Sequence, residues 1–327
     1  MKFNKKFQSV FQYLKGNYRV SEFALTNICV AKCSFCSIWK QKKKIIVDKV
    51  KALKTIDKLA DIGVRFLTLT GGEPLIHPNI VEFVEKCTKR GIVTSVLDAD
   101  PRLVTNKKIE GFKKAGLDYM CISIDHYSDK VEYESRKIKN MISLISKAVK
   151  ELKQAKITTM ASILISNFNH KELEKLFEKC SELGFDLIAI NYPEHSLSPV
   201  YELGGDMVRL TPKQTIAALK EVIRLKKKGY KIVNPIESME NIIKYLKKEQ
   251  VDYYCFGGNK VLFVDWFFDV YPCMHLSKSL GSVFDFDKNK LLNKKCNCCN
   301  MSWYRDFSIY FYGINSIKSL IRNLKYI

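Results

Sequence analysis

The chain has 327 residues, 46% of them hydrophobic and 27% charged, and its 55 Lys and Arg against 34 Asp and Glu leave a formal net charge of +21. That length supports one large domain or a domain with a small appendage, and the composition is ordinary for a soluble globular enzyme. No apolar run approaches the ~20 residues a membrane-spanning helix needs, and the basic start "MKFNKKFQSVFQYLKGN" lacks a continuous apolar centre and a small-residue cleavage site, so a cytoplasmic location is expected.

From residue 21 onward, short apolar runs alternate with helical stretches. A strand is predicted at 22–29, then a helix at 47–63 with Val47, Val50, Leu53, Ile56 and Leu59 on one face and Gly63 as its stop. Strand 65–72 follows, then helix 79–90, strand 92–98, helix 108–116 and strand 118–125. Helix 137–155, strand 157–165, helix 170–184, strand 186–191 and a helix near 212–228 complete six β-then-α units. Short apolar strands with intervening helices argue for a parallel sheet with right-handed crossovers. Six units fall short of the eight that close a complete barrel, so the expected class is α/β: an open, partial (β/α)6 TIM-like barrel or a doubly wound sheet. In either, active residues sit at the C-terminal ends of the strands. After about residue 230 the character changes. A helix at 236–250 precedes a Cys-, Gly- and aromatic-rich stretch to 312 and a basic amphipathic tail. The expected division is a basic lead-in (1–20), a barrel (21–235), a small Cys-rich C-terminal extension (236–312) and the tail (313–327).

The chain carries 11 cysteines. In a cytosolic setting, clustered cysteines point to metal or redox chemistry rather than disulfides. Cys87, Cys121 and Cys180 sit singly in apolar stretches and read as small buried residues. Cys29, Cys33 and Cys36 form C-x3-C-x2-C immediately after the first strand. Thiolates so close together bind zinc or an iron–sulfur cluster. Structural zinc wants a fourth nearby ligand, and the next histidine is His77. Three thiolates on one loop suit a [4Fe–4S] cube whose fourth iron stays open. "GGEP", Gly71 to Pro74, follows the second strand and lands on the same rim, where paired glycines allow close backbone approach to a ligand.

At these residues the chain resembles the radical S-adenosylmethionine (radical SAM) enzymes, which carry C-x3-C-x2-C after the first strand with an aromatic residue, here Phe35, before the last cysteine, and a "GGEP" loop after the second. The resemblance implies that Cys29, Cys33 and Cys36 hold a [4Fe–4S] cluster whose open iron is chelated by S-adenosyl-L-methionine. Gly71, Gly72, Glu73 and Pro74 would bind the methionine amino group. Ser123 and Asp125, ending strand four, would face the ribose or carboxylate, and Arg136 would pair with the carboxylate. Ser162 and Asn191 are lining candidates. Where relatives often carry "TNG", this chain has "LDADP", which brings Asp98 and Asp100 to the rim either as ligands for a polar group or as helix caps. The implied chemistry is one-electron cleavage of S-adenosylmethionine to a 5′-deoxyadenosyl radical that abstracts hydrogen from carbon, with flavodoxin or ferredoxin as electron donor.

The rear cysteines resemble the twitch or SPASM extensions of the same enzymes: Cys255, a hairpin-like segment ending at Cys273, then Cys296, Cys298 and Cys299. That implies one auxiliary [4Fe–4S] cluster on Cys255, Cys273, Cys296 and Cys299, with Cys298 as a competing ligand. Zinc on the same sulfurs stays open as an alternative. His275 reads as an outer-sphere group or as a surface histidine. The basic charge favours a polar or anionic small metabolite or lipid precursor, shaped by the loop at 191–206, with peripheral membrane contact. A maturase acting on a ribosomally made peptide is the alternative, weakened by the short stretch before strand one. A non-catalytic, Cys-rich zinc protein is a third reading. The lysines are dispersed and not interleaved with aromatics, so nucleic acid is not an expected partner.

Overall fold

The computed structural model describes residues 13, 16–192, 208–297, 299, 301–313, 316, 319 and 323. Most of the lead-in, nearly all of the loop at 191–206, Cys298 and most of the tail lie outside the described residues.

Six parallel strands run side by side in chain order: β1 (Arg19–Ala24), β2 (Val64–Thr70), β3 (Val93–Asp98), β4 (Tyr119–Ser123), β5 (Thr158–Leu164) and β6 (Leu187–Asn191). The crossovers carry α1 (Lys49–Asp61), α2 (Ile80–Lys89), α3 (Asn106–Ala115), α4 (Asp129–Arg136), α5 (Met141–Gln154) and α6 (Leu173–Glu182), and α7 (Pro212–Lys228) follows β6. Local chemistry sets their ends. Asp48 accepts from the Lys51 amide at the start of α1. Thr211 and Gln214 form a reciprocal capping box ahead of α7, with Pro212 at its first position. Gly116, at φ 80°, terminates α3.

Two expectations need correction. Val50 is 57% exposed, and the buried face of α1 is Ala52, Thr55, Ile56, Leu59 and Ala60, one step round the helix. The helix expected at 137–155 is α5, which begins only at Met141, and an unexpected helix, α4, precedes it, separated from it by left-handed residues Lys137 (φ 61°) and Asn140 (φ 56°). α4 buries Glu132, Ser135 and Arg136 instead of an apolar stripe, so hydrophobic periodicity passes over it.

The sheet does not stop at six strands. After α8 (Ile236–Leu246), β7 (Val261–Val264) pairs parallel with β1, and β8 (Asp269–Tyr271) and β9 (Gly281–Ser282) continue antiparallel. Among the described residues the order is β6-β5-β4-β3-β2-β1-β7-β8-β9, an open sheet that curls without closing.

Register and alternation define the concave face. Glu22, Thr68, Ser95, Tyr119 and Thr158 lie side by side across β1–β5, and Leu97, Cys121, Met160 and Leu187 form the next row. In β5 and β6 the helix-facing residues 159, 161, 163, 188 and 190 are buried, whereas 158, 160, 162, 164, 187, 189 and 191 are half-buried. The hollow therefore stays open on the β5–β6 side. Helix α9 (Ser302–Ile309) crosses it: Phe307 packs on Phe66 at 5.1 Å, Ser302 Oγ donates to Asn191 Oδ1 at 3.0 Å, and Tyr304 donates to Glu22 Oε2 at 2.7 Å. No described helix is long and apolar enough to cross a membrane.

Candidate functional site

The loop after β1 is shaped by two polar side chains whose hydrogen bonds tie its arms together. Asn27, 1% exposed, donates from Nδ2 to Gln41 Oε1 (3.0 Å) and the Lys43 carbonyl (2.7 Å) and accepts at Oδ1 from the Ile45 amide (2.8 Å). Thr26 Oγ1 donates to the Ile45 carbonyl at 2.6 Å and accepts from the Ile28 amide at 3.0 Å. Both arms of the cysteine loop are thereby fastened to the end of β1.

The "GGEP" loop locks onto the same segment. The Gly72 amide donates to the Thr26 carbonyl (2.7 Å) and the Glu73 amide to the Ile28 carbonyl (2.8 Å). A Cβ at Gly71, whose φ is 131°, would fall 2.4 Å from the Thr26 carbonyl oxygen; at Gly72 it would fall 2.3 Å from that of Ile28. The glycines thus admit this chain's own cysteine loop, a closer demand than the ligand approach expected of them. Gly72→Ala is expected to cost about 1–3 kcal/mol, because backbone must move to admit the methyl. Iron content after anaerobic reconstitution should fall with it; wild-type loading and wild-type denaturant stability would show that the turn relaxes freely.

Glu73 is fully buried and accepts from the Leu75 amide (3.0 Å) and the Ala99 amide (2.8 Å), tying the loops after β2 and β3 together. Burial pushes its carboxyl up to about 7. Pro74 opens a short 3-10 turn, Pro74–Ile76.

Cys33 is buried and Cys29 and Cys36 are half-buried. Burial pushes the Cys29 and Cys33 thiols up to about 12 and raises Cys36, and each pair adds mutual repulsion. Neutral thiols therefore wait on a cation to displace their protons. One cation is already present. Arg136 Nη1 lies 3.9 Å from Cys33 Sγ, and the guanidinium lies over the Phe35 ring at 5.4 Å. Arg136 Nε is 2.9 Å from Asp125 Oδ2 and 3.5 Å from Glu132 Oε1, and Nη2 donates to Asp125 Oδ1 at 3.1 Å. Asp125 also accepts from Ser135 Oγ at 2.7 Å. Arg136 and Asp125 are thus both at the cysteine loop, buried and engaged with each other. Ser123 lies beside Ser162 in the concave face. Asp98 follows the helix-facing series Thr94, Val96, Asp98; it is fully buried, and its Oδ2 has no hydrogen-bond partner. Asp100 caps a 3-10 turn at Pro101–Leu103 and pairs with Arg102 at 2.6 Å, the capping role.

The rear cysteines meet at α9. Cys255 and Cys296 form an antiparallel bridge with reciprocal backbone hydrogen bonds of 2.8 Å. With Cys273 and Cys299 they line a cavity of about 90 Å³ whose other walls include His275, Met301, Tyr304 and Arg305. Sulfur already takes hydrogen bonds there: the Gly257 amide donates to Cys255 Sγ at 3.3 Å and Ser308 Oγ at 3.8 Å. Arg305 Nε holds the Cys299 carbonyl at 2.7 Å. His275 is 4% exposed, its Nε2 3.3 Å from Met301 Sδ, so it is no surface histidine. Among the described residues no three His, Cys, Asp or Glu groups converge closely enough for a single metal ion.

The profile of the Radical SAM superfamily matches residues 23–180, which span both the cysteine loop and the "GGEP" loop. Residues 23–180 carry a radical SAM domain. This radical SAM protein is 24% identical over 284 residues to the AdoMet-dependent heme synthase of Methanosarcina barkeri, covering 81% of this chain and 79% of the relative. It is 24% identical over 275 residues to the antilisterial bacteriocin subtilosin biosynthesis protein AlbA of Bacillus subtilis, covering 83% of this chain but only 58% of AlbA. Its fold is similar to that of anSMEcpe solved with AdoMet and the Cp18Cys peptide: TM-score 0.64, 15% identity, 85% of this chain and 80% of the other.

Radical SAM enzymes bind a [4Fe–4S] cluster and S-adenosylmethionine, and the structural neighbours of this chain are of the twitch/SPASM type. Sequence reasoning missed the contact between Glu22 and Tyr304, 282 positions apart. A lone Glu inside an apolar strand was its only signal. Burial pushes that carboxyl up to about 7, and Tyr304 answers it with a hydrogen bond.

Proposed function

We propose that this radical SAM enzyme modifies an uncharged side chain of a peptide or protein substrate. The observation that carries the reading is the concave face. From Val64 to Asn191 the inward positions of β2–β6 are apolar, hydroxyl, thiol or amide, with no Asp, Glu, Lys or Arg. An anionic metabolite buried there would lose its hydration without a counter-charge, whereas an aliphatic, aromatic or thioether side chain would not. The similarity to AlbA and to peptide-bound anSMEcpe supports a peptide over the polar or anionic small metabolite that net charge alone favours.

In this reading Cys29, Cys33 and Cys36 would hold a [4Fe–4S] cluster, which would supply the reductive cleavage of S-adenosylmethionine needed to take hydrogen from an unreactive carbon. The chain's own residues shape that event. Arg136 sets a fixed positive charge beside Cys33, favouring its thiolate. The paired glycines hold the two loops in register, and Phe307 and Tyr304 of α9 cover part of the concave face and exclude water. Cys255, Cys273, Cys296 and Cys299 hold an auxiliary [4Fe–4S] cluster. The reading places the barrel at 21–235 and the cluster-bearing extension at 236–312, in a reducing cytoplasm with an acidic electron carrier.

The test uses cells of the source organism grown in deuterated medium and extracts separated into peptide and small-metabolite fractions. Reconstituted enzyme should acquire deuterium in 5′-deoxyadenosine from the peptide fraction only, and protease treatment should abolish it. Transfer from the small-metabolite fraction, insensitive to protease, would refute the peptide assignment.

A further inference from the structure

The wall of the rear cavity carries a charge that no described carboxylate balances. Of the described residues lining it, Arg305 is the only Lys, Arg, Asp or Glu, and it is 3% exposed. One edge of its guanidinium fork grips the segment that carries two of the rear sulfurs: Nε donates to the Cys299 carbonyl at 2.7 Å, and Nη2 donates to Asn297 Oδ1. The group also lies over the Tyr245 ring at 5.2 Å. Nη1, on the other edge, has no hydrogen-bond partner among the described residues, and Arg305 enters no ion pair with them. Arg136, the buried arginine of the front loop, has Asp125 at 2.9 Å and Glu132 at 3.5 Å. The adjacent Asp306 does not serve Arg305 in that way. Its Oδ2 accepts from Asn234 Nδ2 at 2.5 Å, and fully buried Lys226 acts on it more strongly than Arg305 does. A buried guanidinium without a counter-charge gives up hydration that nothing returns. Four thiolates around an iron–sulfur core are net negative and would return it, so the donor set and the orphaned Nη1 together fit an anionic cluster.

We infer that Arg305 is a positioning residue of the rear site with two separable tasks: it fastens the segment from Cys296 to Cys299, and its fixed charge raises the reduction potential of the cluster held there. The inference rests on the auxiliary-cluster reading of Cys255, Cys273, Cys296 and Cys299. Reduction adds one negative charge to the cluster, and a positive charge buried beside it favours that addition. The hydrogen bonds that Cys255 Sγ accepts from the Gly257 amide and from Ser308 Oγ act in the same direction. The residue before Arg305, Tyr304, lines the same cavity and donates to Glu22 in the hollow, so one turn of α9 joins the concave face to the rear site.

The test is a reductive titration of the rear cluster, read by its electron paramagnetic resonance signal, in reconstituted Cys33→Ala protein, where the front cluster gives no signal. R305Q should lower the ratio of reduced to oxidised cluster at a given potential by at least about tenfold, a midpoint about 59 mV more negative. R305K keeps the charge and loses the fork; N297A keeps the charge and loses one fastening hydrogen bond. Both should stay within about threefold of the parent in that ratio, yet release iron to a chelator faster than the parent does. A midpoint unchanged in R305Q, or shifted as far in R305K or N297A as in R305Q, overturns the charge task. Iron release at the parent's rate in all three variants overturns the fastening task. Should R305Q bind no rear iron, R305K and N297A decide: the parent's midpoint in both supports the assignment, and a tenfold shift in either overturns it. A parent that holds zinc, or no iron, in the rear site fails the auxiliary-cluster reading instead.

Discussion

Cys33→Ala is expected to leave no measurable cleavage of S-adenosylmethionine under anaerobic reduction. Iron in the reconstituted protein should fall from about eight to about four atoms per chain. Cys33 is the most buried of the three front cysteines and the one whose sulfur lies beside Arg136. Its loss removes a ligand from the interior of the loop, where no neighbouring donor stands in. The fold should survive, because Arg136 keeps Asp125 and Glu132 as partners and is not left as an uncompensated buried charge. Thermal stability of the metal-free variant should therefore stay within about 2 kcal/mol of the metal-free parent. Cys180→Ala, at a buried position on the helix side of the sheet, is the control and should retain full iron and full cleavage. Cleavage surviving in Cys33→Ala would mean that the front loop does not hold the cluster.

The second large effect separates the two cysteine groups. Cys273→Ala should lower iron to about four atoms per chain as well, yet retain cleavage of S-adenosylmethionine in the absence of substrate while losing modification of the substrate. The four rear sulfurs line one cavity against α9, and Cys273 sits where β8 leads into it. Removing one of four ligands empties that site without touching Thr26, Asn27 or the glycine pair that hold the front loop. Metal analysis of the parent discriminates the zinc alternative: about one zinc and about four irons per chain in place of about eight irons. If Cys33→Ala and Cys273→Ala lose cleavage alike, the two groups do not have separate tasks.

Much of this was legible from residue types alone. The six βα units were readable because strands and helices leave different periods, and short apolar runs between helical stretches suit buried parallel strands and little else. The C-x3-C-x2-C and "GGEP" segments were readable because both follow predicted strands and so share a rim. Helix α4 was not readable, since it buries Glu132 and Arg136, and periodicity counts charges as exposed. Val50 misled for a related reason. It fits the apolar spacing of α1, but the sheet packs against the neighbouring stripe of Ala52, Ile56 and Leu59.

What the chain's residues determine by themselves is the ligand chemistry: three thiolates too close together for independent roles, a glycine pair, and more sulfur to the rear. Tertiary structure alone decided what those groups face. It turned the glycines toward Thr26 and Ile28, engaged Arg136 with Asp125 beside Cys33, and drew four rear cysteines around one cavity. It also carried α9 across the hollow and left the inward positions of β2–β6 without Asp, Glu, Lys or Arg. Local sequence encodes period and composition, whereas the partner of a buried group depends on segments hundreds of residues away, as Glu22 depends on Tyr304.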